Sequence, residues 1–195
     1  MIGGINAFYL GAKSVNPNAK VKIVWANTWF DPGKEADAAK ALLAQGADII
    51  TQHTDSPAPL QQAEAAGKLA FGQASDMIRF APKTTLTSIV DNWNDYYIER
   101  VKAQLDGKWT STDTWGGFAA NMVNMAAYTN MPDDVKKLAQ ETEQAIKSGK
   151  LDPFKCPVYG QDGKEIACKG KGALSDEQVL GMNYYIKGID DSLPK

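Results

Sequence analysis

Apolar positions recur along this chain with two different periods. Ile5, Phe8, Tyr9 and Ala12 fall at helical spacing, so the chain opens inside an amphipathic helix. Residues 21–26, Val-Lys-Ile-Val-Trp-Ala, form a β-rich run between Asn16-Pro17-Asn18 and the polar turn Asp31-Pro32-Gly33. Lys34 to Gln45 is rich in alanine and other helix formers, and Gly46 ends it as a glycine after a last helical turn does. Residues 47–51 then read as a short apolar strand, of the kind buried in parallel sheets. The loop His53-Thr54-Asp55-Ser56-Pro57 leads into a helix over about 58–66, stopped by Gly67, and residues 69–73 form a third strand. Strands and helices alternating through short connections predict an α/β fold with a parallel, doubly wound sheet.

Beyond Thr84 the spacing lengthens. Val90, Trp93, Tyr97 and Val101 predict a long helix over roughly 88–106. Residues 109–118 and 121–131 read as short strands and turns, Pro132-Asp133-Asp134 opens another helix to about 148, and Ser175 caps a last helical piece. The two cysteines, Cys156 and Cys168, flank the turn signal Gln161-Asp162-Gly163-Lys164, which predicts a hairpin with one thiol on each arm. They are expected to form a disulfide, two unrelated free thiols being the alternative. A bridge would imply an oxidising compartment. A zinc site is not expected, since two cysteines without a neighbouring histidine or second pair do not supply four ligands.

Composition narrows the function. At 195 residues and 44% hydrophobic, the chain can bury a sizeable core and does not belong to the disordered class. No run approaches the roughly 18 apolar residues of a membrane-spanning helix. Lysine and arginine number 21 against 23 acidic residues, which removes the electrostatic footprint of a nucleic-acid binder. Met1 to Asn6 has no basic stretch followed by an apolar one, so no signal peptide is expected within these residues. With one histidine, no Ser-His-Asp or Cys-His relay forms without His53. Phosphate-binding glycine loops are absent from the strand–helix junctions, and no cofactor is expected.

A different feature recurs at the strand ends. Asn27-Thr28-Trp29-Phe30-Asp31, Gln52-His53-Thr54-Asp55 and Gln73-Ala74-Ser75-Asp76 each follow a predicted strand, and in a parallel sheet they share the carboxyl edge where ligands bind. Aromatic faces suit a planar ligand, and Asp, Gln and His suit its polar rim. The candidate binding residues are therefore Trp29, Phe30, His53, Thr54, Asp55, Gln73 and Asp76. A polar surface turn is the plainer reading of any one of these stretches, and the alternative function is a small α/β hydrolase or nucleoside-processing enzyme using His53 and Asp55.

At these residues the sequence resembles a known family. Residues 4–13, Asn16-Pro17, the stretch Trp29-Phe30-Asp31-Pro32-Gly33-Lys34-Glu35, and Gln45-Gly46-Ala47-Asp48-Ile49-Ile50 resemble the basic membrane protein family of ABC-importer substrate-binding proteins, related to purine nucleoside receptor lipoproteins. The likeness continues through Leu86-Thr87-Ser88, Trp93, residues 160–164, Leu174-Ser175-Asp176, Met182 and Gly188, and so covers nearly the whole chain. The resemblance implies two lobes of the type I periplasmic-binding kind with ligand in the cleft between them. It implies that residues 1–195 are the C-terminal part of such a protein, mainly its second lobe, with about 110–195 including segments that cross back to a first lobe largely outside this chain.

By the same resemblance Trp29 stacks on a purine and Asp76 is an acidic ligand contact. His53-Thr54-Asp55 replaces a small glycine-rich loop, and Val90-Asp91 stands where many relatives carry a ligand-touching lysine, which favours a free purine base over a nucleoside. The implied partners are a permease and ATPase complex and a small-molecule ligand. The implied location is the periplasm or surface of a bacterium, with membrane attachment only through a lipid anchor on an N-terminus outside these residues.

Overall fold

The computed structural model describes residues 1–194. In chain order it has helices α1 (Ile2–Val15) and α2 (Pro32–Ala44), strand β1 (Ile49–Ile50), helix α3 (Ala58–Ala65), and strands β2 (Leu69–Gly72) and β3 (Thr85–Asp91). Helix α4 (Asn94–Leu105), strand β4 (Val123–Met125) and helix α5 (Asp133–Lys147) follow, then strands β5 (Val158–Tyr159) and β6 (Glu165–Ile166) and helix α6 (Asp176–Leu180). Short 3-10 turns occupy Ile78–Phe80 and Phe118–Ala120. These elements form two compact units, one of Met1–Asn27 with Gly149–Lys195, the other of Thr28–Ser148.

The unit of residues 28–148 has the mixed α/β architecture read from the sequence. Its four strands lie side by side in chain order, with β1, β2 and β3 parallel and β4 antiparallel to β3. Ile49 and Ile50 of β1 face Leu69 and Ala70 of β2, and Ala70 in turn faces Thr85 of β3. Helix α2 starts where Asp31 accepts the Lys34 N–H at 3.1 Å and Pro32 takes the first helical position, where no N–H is needed. Gly46 and Gly67 end the α2 and α3 segments with φ of 92° and 63°. Ile50, Leu60, Ala63, Ala70, Met77 and Ala81 form the core against which α2 and α3 pack.

Residues 88–91 correct the sequence reading, which began a helix at about 88. They belong to the central strand β3, not to the front of a long helix, and helix begins only at Asn94. Thr85, Thr87, Ile89 and Val90 are β-branched, and β2 and β4 offer ladder partners on both sides, so the strand satisfies more backbone groups than a helix would leave capped. The buried hydroxyls find partners as well: Thr85 donates to the Ala81 carbonyl at 2.8 Å and Thr87 to that of Ala126 at 2.9 Å. Gly72 sits so close to β3 that a methyl group there would overlap the Ser88 hydroxyl.

In the other unit, residues 21–26 form no strand among the described residues, which corrects the strand expected there. The Ile23 N–H donates to the Asp191 carboxylate at 2.8 Å, a side chain taking the place of a ladder partner, and the Trp25 indole donates to the Tyr185 hydroxyl at 3.0 Å. Tyr9, Phe154, Val158, Leu174, Met182, Tyr185, Ile186 and Ile189 form its core. Asn6, fully buried on α1, donates to the Tyr184 carbonyl at 3.0 Å and accepts the Ile186 N–H at 3.2 Å. Strands β5 and β6 form an antiparallel hairpin whose flanking Cys156 and Cys168 are joined by a disulfide, with Cα atoms 6.5 Å apart. Ser175 and Gln178 form a reciprocal capping box at the start of α6.

Candidate functional site

Within residues 28–148 the loops that follow β1, β2 and β3 leave the sheet at its carboxyl edge. Trp29 and Phe30 reach the same region by another route. No strand precedes them; instead the Asp55 N–H donates to the Trp29 carbonyl at 2.9 Å and ties their loop to the one after β1. Both aromatic rings are largely exposed, at 63% and 64%. Side chains of this size left in water at the end of a sheet are available to a ligand. The His53 ring lies 6.0 Å from that of Trp29, tilted by 60°.

A buried carboxylate bonds to both of these loops. Glu35, on the first turn of α2, is 1% exposed. One of its oxygens accepts the Asp31 N–H at 2.9 Å, and the other accepts both the Ser56 N–H at 3.1 Å and the Ser56 hydroxyl at 2.7 Å. Burial alone would push the Glu35 pKa up. Its hydrogen bonds from Ser56, Asp31 and Thr54 more than offset this and hold it below the ordinary value, so the group is ionised at neutral pH. Gln52 finishes the loop after β1 by donating to the Thr54 and Ser56 carbonyls, each at 2.7 Å.

The loops after β2 and β3 are tied in the same way, the Asp91 N–H donating to the Ala74 carbonyl at 3.0 Å. Ala74 takes a left-handed φ of 62° to make that bond, an unusual conformation for a residue with a β-carbon. Loss of water from one side of the His53 imidazole lowers its pKa, and the carboxylates of Asp55 and Asp91 pull the other way without prevailing. The ring is therefore neutral at pH 7, able to donate from one nitrogen and accept at the other.

The structure thus gathers Trp29, Phe30, His53 and Asp55 on two tied loops. Thr54 turns toward Glu35 and supports the loop. Gln73 is nearly buried, and among the described residues its side-chain amide makes no hydrogen bond. Asp76 is exposed and accepts the Ile78 N–H at 3.1 Å, opening the 3-10 turn. Glu35, Ser56 and Asp91 were not among the predicted site residues. An acidic residue four positions after the helix-capping Asp31 was the signal available for Glu35; nothing local marked Ser56 as its partner. Trp93, read as one face of a helix interior, instead stands exposed immediately after β3 beside Tyr96 and Tyr97, ring centroids 5.9 and 6.0 Å away.

Chemically, the edge offers aromatic faces, carboxylates and a neutral imidazole. Among the described residues His53 has no hydrogen-bonded hydroxyl or carboxylate partner, as a nucleophilic relay would require, and no group of three metal-ligating side chains is present. A separate depression of about 270 Å³, lined by Lys169, Glu177, Gln178 and Tyr184 among others, belongs to the unit of residues 1–27 and 149–195 and contains none of the predicted site residues.

Comparison with known proteins gives a consistent result. Residues 1–153 match the Bmp family, described as ABC transporter substrate-binding protein PnrA-like. A purine-binding protein of Brucella abortus (strain 2308) is 60% identical over 195 residues, all of this chain and 55% of that protein. A Haloferax volcanii protein provisionally named as an ABC transporter glucose-binding protein is 30% identical over the same span, 47% of its length. Among solved structures, an ABC transporter solute-binding protein from Aeropyrum pernix K1 superimposes with a TM-score of 0.61 at 15% identity, covering 78% of this chain and 52% of that one. The chain spans about half the length of these curated relatives. The family and these three proteins carry the names of binding proteins, the family and two of them of ABC transporters, and not of enzymes.

Proposed function

The chain belongs to the PnrA-like family of ABC transporter substrate-binding proteins, and from that footing we propose that it serves as the solute-binding component of an importer, taking a neutral planar ligand of the purine class without chemical change. The observation that carries this reading is the exposed Trp29–Phe30 pair beside a neutral His53 on tied loops at the carboxyl edge of a parallel sheet. Stacking on Trp29 and Phe30 supplies area. Asp55, Gln73 and Asp76 supply directional bonds to ring N–H groups, exocyclic amines or sugar hydroxyls.

Charge sharpens the ligand class. The loops 27–31, 52–56, 73–76 and 91–93 carry Asp31, Asp55, Asp76 and Asp91 and neither lysine nor arginine. A phosphate would meet repulsion there, so bases and nucleosides are favoured over nucleotides. The Brucella relative's name supports a purine. Family membership supports a permease and ATPase as partners and a place outside the cytoplasm, in the periplasm or held at the surface by a lipid anchor beyond these residues. No helix among the described residues is long and apolar enough to cross a membrane. We place residues 1–195 in the C-terminal part of the binding protein, with ligand closure by hinge motion.

Calorimetric titration with adenine, guanine, hypoxanthine, adenosine, inosine and AMP tests the proposal. A free base is expected to bind more tightly than a nucleoside, AMP not at all, and chromatography should return each ligand intact. Trp29→Ala should weaken binding more than tenfold, since a lost stacking partner is worth roughly 1–3 kcal/mol. Failure of every purine to bind, or wild-type affinity in Trp29→Ala, would overturn it.

A further inference from the structure

The Trp29 and His53 loops converge on one buried carboxylate, and that carboxylate does not face the ligand edge. Glu35 is 1% exposed and Ser56 wholly buried. Through Asp31 the carboxylate fixes the residue immediately after Phe30, and through the Ser56 N–H and hydroxyl it fixes the residue immediately after Asp55. The Asp55 N–H to Trp29 carbonyl bond at 2.9 Å then closes a small circuit whose corners are the two aromatic-bearing loops and α2. Beside the Thr54 hydroxyl, three donors of Asp31 and Ser56 converge on the two carboxylate oxygens, so the group cannot be replaced by an apolar side chain without leaving buried N–H groups unsatisfied. A carboxylate also accepts from all three at once, which an amide cannot do in one orientation.

We propose that Glu35, acting with Ser56, is a positioning residue for the binding edge: it holds the Trp29 and His53 rings at their mutual spacing of 6.0 Å and so presents a preformed aromatic platform to the ligand. This rests on the solute-binding reading given above for its effect on affinity, and on the structure alone for its effect on ring geometry. A preformed platform avoids the ordering of two loops at the moment of binding.

The test reads both levels. His53 is the one histidine of the chain, so its imidazole proton resonances are identified without assignment work and report the ring current of Trp29. In ligand-free protein, Glu35→Ala should move these resonances toward those of a free histidine, and Glu35→Gln, which keeps one acceptor oxygen, should move them less. Affinity for the tightest purine of the titration series should fall roughly ten- to hundredfold in Glu35→Ala, the effect of one to two unsatisfied buried groups on loop order, and by less in Glu35→Gln. Leu60→Ala, which truncates a buried core side chain that makes no bond in the circuit, serves as a destabilised control that should leave both readouts in place. Should Glu35→Ala fail to fold, Ser56→Ala removes the shortest of the three bonds and is read in the same way. Unchanged His53 resonances in the Glu35 and Ser56 variants, or an equal change in Leu60→Ala, would overturn the assignment. If the wild-type protein binds no purine, the function proposed above fails while the His53 resonances still decide whether Glu35 sets the geometry.

Discussion

The two units of this molecule are held together in opposite ways. In residues 28–148 each strand pairs with a strand close in sequence, and the intervening helices α2 and α3 pack on that same sheet. The other unit is built from the two ends of its chain. Asn6 bonds to backbone groups of residues 184 and 186, Ile23 to Asp191 and Trp25 to Tyr185, and a disulfide closes its hairpin. Charge divides along the same line: residues 28–148 carry 11 basic and 16 acidic side chains, an acidic balance to which the carboxylates at the sheet's carboxyl edge contribute. Local pairing gives a scaffold whose loop ends can be varied for function, whereas long-range anchoring gives a packed cluster that depends on a few polar locks.

Truncating the cores should expose this contrast most strongly. Tyr185→Ala removes a wholly buried ring and the acceptor of the Trp25 indole, and should cost about 3–5 kcal/mol of stability. Calorimetric scans should show its loss concentrated in residues 1–27 and 149–195, with the sheet unit melting near its wild-type temperature; one merged transition shifted as a whole would break the comparison. Reduction of Cys156–Cys168, which closes a separation of 12 residues, should cost about 2–3 kcal/mol in the same unit, read as a lower melting temperature in reductant that Cys168→Ser reproduces.

In the sheet unit, Gly72→Ala forces a methyl group against Ser88 and Met77 and should cost about 1–3 kcal/mol, measured as a lower denaturant midpoint at unchanged slope. A smaller effect is expected from acid. Glu35 has a folded pKa below its ordinary 4.5, so its contribution is whole above that value and is lost as pH falls through the lowered pKa. The difference in melting temperature between wild type and Glu35→Gln should therefore shrink on acidification below pH 4.5; a constant difference would remove the carboxylate from that role. Least of all, Trp29→Ala should change stability by no more than about 0.5 kcal/mol, because the ring is exposed, while it should weaken purine binding more than tenfold.

Most of the sheet unit was legible in the sequence because its signals are local. The capping Asp31 with Pro32, the glycines at 46 and 67, and short apolar strands bounded by turns mark α2, β1, α3 and β2 directly. Strand β3 was misread because Val90, Trp93, Tyr97 and Val101 share a helical spacing that crosses the strand–helix junction, and only its ladder with β2 and β4 decides between the two. The run at 21–26 failed in the reverse sense: its composition is that of a strand, yet among the described residues no strand pairs with it and Asp191 takes the Ile23 N–H instead.

The site divides similarly. The sequence by itself determined the aromatic character of residues 29–30, the acidic character of the loops after β1 and β2 and the absence of lysine and arginine among them, because residue identity does not depend on folding. Only the tertiary structure decided that Trp29 reaches those loops without a strand of its own, that Thr54 turns inward, and that Glu35 joins residues 31 and 56. Each of these rests on a hydrogen bond between segments distant along the chain. A residue's own neighbours fix its propensity, but the partner of a buried donor or acceptor is fixed by which segments the fold brings within about 3 Å.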